Sequence, residues 1–300
     1  MSPAVTEFAA MSPRVSVIIA TYNWSSVLPY SIGSVLRQTM PDFEVLVVGD
    51  GCTDDSEQVV AAIGDPRVRW INLPANTKHQ TGPNNEGLRQ ARGEFIAYLG
   101  HDDLWLPDHL ALMVSALDAT GSDVAHSLSL NVSPGESSGW LAIPNPGAGQ
   151  IASPLSIVHR KRMTEEIGGW RDYRELDCGP DVELWKRAQA AGYRFTFVPR
   201  LTGIKFPAGW RRDVYQSRPC REQAAWFARI ESEPDFEIRQ LVSMIVDGHA
   251  PTAVPYRALL RQLAGETTSR IRRRWSQRSF FGFRARRTID EIRRFKGLGE

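Results

Sequence analysis

From Val15 to about Leu99, short apolar runs alternate with segments of helical spacing. VSVIIA (15–20), FEVLVVG (43–49), VRWINL (68–73) and EFIAYLG (94–100) are apolar almost throughout and rich in β-branched residues, the pattern of strands buried on both faces. Between them, VLPYSIGSVLRQT (27–39) places Ile32, Val35 and Leu36 on one helical face. TDDSEQVVAAIG (53–64) starts with N-capping residue types and stops at Gly64, and PNNEGLRQARG (83–93) predicts a third helix. This β-α-β-α order predicts an α/β domain, its sheet mostly parallel and flanked by helices.

The second half continues less regularly. DHLALMVSALDATG (108–121) predicts a helix behind Pro107, and DVAHSLSL (123–130) a strand. Residues 131–149 are rich in Pro, Gly and Ser and read as a long surface loop. SPLSIVHRKRMTEEIGGW (153–170) predicts a strand and a short helix, and PDVELWKRAQAAG (180–192) a helix with Pro at its start and Gly as its stop. YRFTFV (193–198) is a further strand, and from Pro219 onward the chain reads as helical. The expected division is a flexible leader (1–13), two halves of one domain (14–125 and 126–218) and a helical extension (219–300) with a basic tail.

Composition adds little until charge is located. Three cysteines, Cys52, Cys178 and Cys220, fit neither a disulfide framework nor a metal cluster, so a reducing cytoplasm is expected and the sequon at Asn131 is read as incidental. No apolar run approaches the roughly 18–20 residues of a membrane span. From Arg270 to Glu300, 11 Arg and Lys face 3 acids, a net +8, whereas the remainder has 25 against 31, a net −6. Such a tail fits an anionic partner, the inner face of a membrane before nucleic acid, or a solvated amphipathic helix.

The chemistry gathers at strand ends. TYN (21–23), GDGCTDD (49–55) and GHDD (100–103) each follow an apolar run, and ligands of parallel sheets sit at the carboxyl ends of the strands. Adjacent carboxylates at a buried tip are costly to desolvate unless something there uses their charge, and a divalent metal is the first candidate. VSVIIATYN, FEVLVVGDGCTDDS, GEFIAYLGHDD and GPDVELWKRAQAAG, in this order and spacing over about Arg14 to Arg200, resemble the landmarks of the family 2 inverting glycosyltransferases of the GT-A fold. The resemblance implies transfer of a sugar from a nucleotide-diphosphate donor to an acceptor hydroxyl, with 14–125 as the nucleotide-sugar-binding half and 126–218 as the acceptor-binding half of the same GT-A domain. Asp103 is then the ligand of Mn2+ or Mg2+, Asp102 faces the ribose, and Asp50 reads the base edge. Thr21, Tyr22 and Asn23 pack around base and ribose, Asn85 lies near the diphosphate, and Asp181 is the general base, with Glu183 and then Asp177 as substitutes. An aspartate on the base edge favours a UDP or dTDP donor, and the implied acceptor is a glycan or a lipid-linked sugar of cell-surface polysaccharide synthesis.

The chain departs from the family where Gly49, Gly100 and Pro180 replace acids and where Asn84-Asn85 replaces an Arg-Asn pair. Lys78, His79 or Arg89 would stand in for that arginine. Lys205, Arg211 and Arg212 would replace a downstream histidine, because His249 is too distant in sequence. Trp140, Trp170 and Trp210 are candidates for stacking on an acceptor sugar. A dinucleotide-dependent oxidoreductase is disfavoured because IATYNWSS has no glycine for close pyrophosphate approach. The competing class is a non-catalytic nucleotide-sugar or glycan-binding protein on the same fold.

Overall fold

The structure, a computed structural model, describes residues 12–135, 139–142, 153–249 and 294–297. The first half forms the expected alternation: β1 (Val15–Thr21), α1 (Leu28–Leu36), β2 (Phe43–Gly49), α2 (Ser56–Ala62), β3 (Val68–Asn72), α3 (Thr81–Gln90) and β4 (Phe95–Tyr98). Their strands pair in parallel in the order β3-β2-β1-β4, with Val15 level with both Phe43 and Phe95. Crossover helices lie on both sides, which is why these strands carry no polar face. Val15, Val17 and Ile19 pack with Leu28, Ile32 and Val35 of α1, while Ile18, Leu46 and Val48 join the opposite core.

The second half extends the same sheet. It comprises β5 (Leu104–Trp105), α4 (His109–Thr120), β6 (Val124–Val132), β7 (Gly139–Ala142), β8 (Ile157–Arg160), α5 (Lys161–Ile167), α6 (Pro180–Ala190) and β9 (Phe195–Lys205). Beyond β4 the sheet runs β8-β6-β9-β5, with β7 on the outside of β6. β8 is antiparallel to both β4 and β6, β9 is parallel to β6, and β5 is antiparallel to β9. The unbroken parallel run therefore belongs to the N-terminal half and ends at β4, and β6–β9 is the parallel pair beyond it.

Three elements differ from the sequence pattern. The expected loop 131–149 contains β7, whose Trp140 pairs with Asn131 because β6 runs two residues past its apolar stretch. β9 continues to Lys205 rather than ending near Val198, since Leu201 and Ile204 are buried and face a third core. β5 is a two-residue bridge set by its partner Gly203–Ile204, not by local propensity.

After α7 (Val214–Ser217), the helical extension begins as α8 (Arg221–Ser232) and α9 (Phe236–His249). Trp226 and Phe236 anchor it to Leu201, Ile204 and Phe206. Residues 250–293, which include most of the basic tail, lie outside the described residues, as does the leader through residue 11. Among the described residues, no helix is long and apolar enough to cross a membrane.

Candidate active site

A cleft of about 320 Å³ opens at the carboxyl ends of β1 and β2. Its wall includes Thr21 and Tyr22 after β1, Asp50 after β2, His101 after β4, and Gly179 to Asp181 at the start of α6. This is the size range and the position expected for a small-molecule site on a parallel sheet.

Asp50 is buried and oriented from one side. Its Oδ1 accepts the backbone N–H of Thr77 at 2.8 Å and the Thr77 hydroxyl at 2.7 Å. Thr77 and the cleft-lining Asn76, Lys78 and His79 belong to the β3–α3 loop, so this loop and Asp50 are held as one unit. Gly49 just before it has no room for a side chain: an added Cβ would stand 2.6 Å from the Asn72 Oδ1 and 2.7 Å from the Trp70 ring. The acid of the usual motif is thus replaced here by Trp70 and Asn72.

The three residues after β1 divide their work. Thr21 and Tyr22 line the cleft, and the buried Thr21 hydroxyl has no hydrogen-bond partner among the described residues. Asn23 turns away with φ 45°, its Oδ1 accepting the N–H of Thr53 at 2.7 Å and its Nδ2 donating to the Thr53 hydroxyl. It shapes the β2–α2 loop and is not part of the cleft wall.

At GHDD the two aspartates separate. Asp103 is 2% exposed, and its Oδ1 accepts the Phe206 N–H at 2.9 Å while its Oδ2 accepts the Lys205 ammonium at 3.2 Å. Burial pushes its carboxyl above the ordinary range, and Lys205 opposes that shift. Lys205 in turn is pushed up, its own burial being outweighed by Asp103, Asp102 and Asp181. Gly100 is required by this arrangement, since a Cβ there would lie 2.5 Å from the Asp103 Oδ2. Asp103 therefore ties the β4–β5 turn to the end of β9. A cation bound at Asp103, the role expected for it, would share the carboxylate with that ammonium. Asp102 keeps a partly exposed carboxylate beside it. Among the described residues no three His, Cys, Asp or Glu side chains converge on a common point. Oxygen ligands suit a hard cation, and Asp102 and Asp103 are the carboxylates at this strand end that could supply them.

His101 has no role assigned by the sequence, yet it is held in place from several sides. Its Nδ1 lies 3.0 Å from the Ala20 carbonyl, and since a carbonyl only accepts, Nδ1 carries the proton. Its ring packs against Trp24 at 5.3 Å and Tyr215 at 5.9 Å, and Nε2 finds no partner among the described residues.

Asp181 enters the cleft from the first turn of α6, where Gly179 is the N-cap and Pro180 supplies a pre-set φ. Its Oδ1 accepts the Val182 N–H at 2.9 Å, and the side chain is half-buried. The two substitutes for it are elsewhere. Glu183 is held by Arg187 at 2.8 Å and Arg171 at 3.2 Å, and Asp177 is exposed outside the cleft wall.

Other residues expected at the site make contacts outside the cleft wall. Asn85 donates to the Trp170 carbonyl and accepts the Trp170 N–H, both at 2.8 Å, so it locks that loop. Arg211 holds Glu222 at 2.7 Å and the Val132 carbonyl, while Arg212 reaches Asp213 and is 82% exposed. Arg89 pairs with Glu86 on the outer face of α3. Trp170 is core, edge-on to Tyr98, and Trp210 is partly exposed on a 3₁₀ turn.

The chain matches the family model for glycosyl transferase family 2 over residues 16–180. It is 41% identical over 113 residues to the succinoglycan biosynthesis protein ExoO of Rhizobium meliloti, which covers 38% of this chain and 32% of that protein. It is 34% identical over 103 residues to the UDP-Glc:alpha-D-GlcNAc-diphosphoundecaprenol beta-1,3-glucosyltransferase WfgD of Escherichia coli, 34% of this chain and 40% of that one. The chain thus spans about a third of the length of these relatives. Residues 1–349 of S. aureus TarS in complex with UDP-GlcNAc share the fold, with a TM-score of 0.58 and 22% identity over 74% of this chain and 67% of that one. So does the mannosyltransferase PcManGT from Pyrobaculum calidifontis in complex with GDP-Man and Mn2+, with a TM-score of 0.54 and 17% identity over 92% and 86%. Landmark order, a mixed α/β sheet of the GT-A kind and a family match across more than half the sequence agree, and the chain belongs to glycosyl transferase family 2.

Proposed function

We propose that this protein is an inverting glycosyltransferase that moves a sugar from a nucleoside-diphosphate donor to an acceptor hydroxyl on a glycan or lipid-linked sugar. The observation that carries the reading is one cleft lined both by Asp50, just after β2, and by Asp181, at the N-terminus of α6. A uracil or thymine imide N–H matches the acceptor Asp50, so UDP or dTDP is the favoured donor nucleotide. The relatives' names, which include UDP-Glc and diphosphoundecaprenol, support the same donor and a lipid-linked acceptor. The basic residues after Arg270 suit a peripheral contact with an anionic membrane face.

In a single displacement, Asp181 takes the proton of the acceptor hydroxyl as its oxygen bonds to the anomeric carbon. The bond from that carbon to the donor diphosphate breaks with inversion, and the nucleoside diphosphate leaves. Mn2+ or Mg2+, when bound, would neutralise the leaving diphosphate, and Asp102 is the residue here that would hold it. Thr77 keeps Asp50 in its hydrogen-bonding orientation throughout.

The test is release of nucleotide from UDP-, dTDP- and GDP-sugars by wild type and Asp181→Asn, each with Mn2+ and with EDTA. The expected result is one active donor, a loss of about 10²–10⁴ in rate for Asp181→Asn, and unchanged UDP affinity in that variant. Near-full transfer by Asp181→Asn would remove it as the base. Tight nucleotide binding without any turnover, acceptors included, would favour a binding protein on this fold.

A further inference from the structure

Resting on that reading, we infer that Lys296 binds the donor diphosphate, so that residues 294–297 form part of the donor site. A leaving diphosphate needs positive charge near its oxygens. Most of the cations that sequence position made plausible lie outside the cleft wall: Lys205 beside Asp103, Arg211 beside Glu222, Arg212 beside Asp213 and Arg89 beside Glu86. The family's arginine is Asn84 here, and Asn85 beside it is tied to Trp170. The lysines that do line the cleft are Lys78 and Lys296. Lys78 comes from the loop that also fixes Asp50. Lys296 comes from the far end of the chain and shares the wall with Asp181, His101 and Tyr215.

This placement is built by contacts of its own. The Phe295 carbonyl accepts the Asp213 N–H at 2.9 Å, at the start of the short helix α7. Asp213 and Arg218 flank that helix with φ of 51° and 46°, so α7 is a tightly wound turn. Tyr215 on α7 packs edge-on against Trp24 at 5.3 Å, which joins it to the β1 end of the cleft. Gly297 closes the contact in the left-handed region with φ 82°, and a Cβ there would lie 2.8 Å from the Gln216 side chain. Segment 294–297 therefore sits on α7, and α7 sits on the cleft.

An ammonium held at a cleft wall binds a phosphate oxygen as a charge-assisted donor, and its removal lowers affinity for the charged ligand only. The test is calorimetric titration with UDP and with uridine, in EDTA and again with Mn2+, for wild type, Lys296→Gln, Lys296→Arg and Gly297→Val. Lys296→Gln should weaken UDP about ten-fold, the scale of one lost charge-assisted bond, and leave uridine unchanged. Lys296→Arg should stay within about two-fold of wild type, since it restores the charge. Gly297→Val should reproduce the Lys296→Gln loss by pushing the segment off α7, without altering any charge. UDP affinity within two-fold of wild type in both Lys296→Gln and Gly297→Val would overturn the inference and leave the transferase reading standing. Equal losses of UDP and uridine would also overturn it, by showing a general collapse of the cleft. Failure of wild type to bind UDP, dTDP or GDP with or without Mn2+ would instead overturn the transferase reading, and the inference with it.

Discussion

The pairing of Asp103 with Lys205 makes a sharp prediction about Lys205→Met. Met fills similar volume but removes the ammonium that lies 3.2 Å from a carboxylate only 2% exposed. At an effective dielectric of roughly 20, the direct attraction over that distance is on the order of 5 kcal/mol. The net loss is smaller, because the Lys205 side chain is 32% exposed and screened, and because desolvating the pair offsets part of the attraction. It is also capped: protonating Asp103 at pH 7 relieves the orphaned charge for about 4 kcal/mol, given an ordinary carboxyl value near 3.8. A loss of about 2–3 kcal/mol follows, or roughly 4–10 °C in Tm for a domain of this size.

The pH dependence has a definite sign. The folded carboxyl of Asp103 lies above its unfolded value, so its contribution is full below about pH 3.8 and is lost as pH rises through the folded value. Removing Lys205 raises that value further. The stability gap between wild type and Lys205→Met should therefore be small near pH 4 and widen toward neutrality, measured as urea midpoints between pH 4 and 8. Asp102→Asn should leave these midpoints unchanged but remove any increment in UDP affinity that Mn2+ provides. Wild-type stability of Lys205→Met at pH 7, together with loss of the Mn2+ increment in Asp103→Asn but not in Asp102→Asn, would refute the anchor role and return the metal to Asp103.

Three further outcomes follow from the same geometry. Restoring the family's acids should fail structurally: Gly49→Asp and Gly100→Asp each force a Cβ to within 2.6 Å and 2.5 Å of fixed atoms, and overpacking of this kind destabilises by about 1–3 kcal/mol, read from denaturant midpoints. Asn85→Ala should cost about 2–3 kcal/mol by orphaning the Trp170 N–H and C=O, with UDP affinity unchanged; a selective loss of UDP affinity would put Asn85 back in the site. Burial pushes His109 down to about 3 and His126 and His159 to about 4, so all three fold as neutral groups. Their stabilisation is present above about pH 6.5 and falls away as pH drops, by roughly 2 kcal/mol per histidine between pH 7 and 5; a flat urea midpoint over that range would contradict their burial.

Sequence alone determined the β-α alternation of the first half and the four landmarks. Apolar runs and helical spacing are local signals, and Gly64, Pro180 and Gly192 mark boundaries by their own backbone preferences. Thr21, Tyr22, Asp50 and Asp181 were legible for the same reason: each follows or opens a regular element, and the topology of a parallel sheet brings such ends together. Tertiary structure decided which polar groups face the cleft. Asp102 and Asp103 are adjacent and chemically alike, and they part only because Lys205 and Phe206 arrive from more than a hundred residues away. Asn85 meets a loop 85 positions on, and Arg211 finds Glu222 and Val132. Lys296 reaches the cleft because Asp213 and Gln216 receive its neighbours. Partners so far apart in the chain leave no periodicity to read, since a charged side chain takes its role from the nearest opposite charge or donor that the fold supplies.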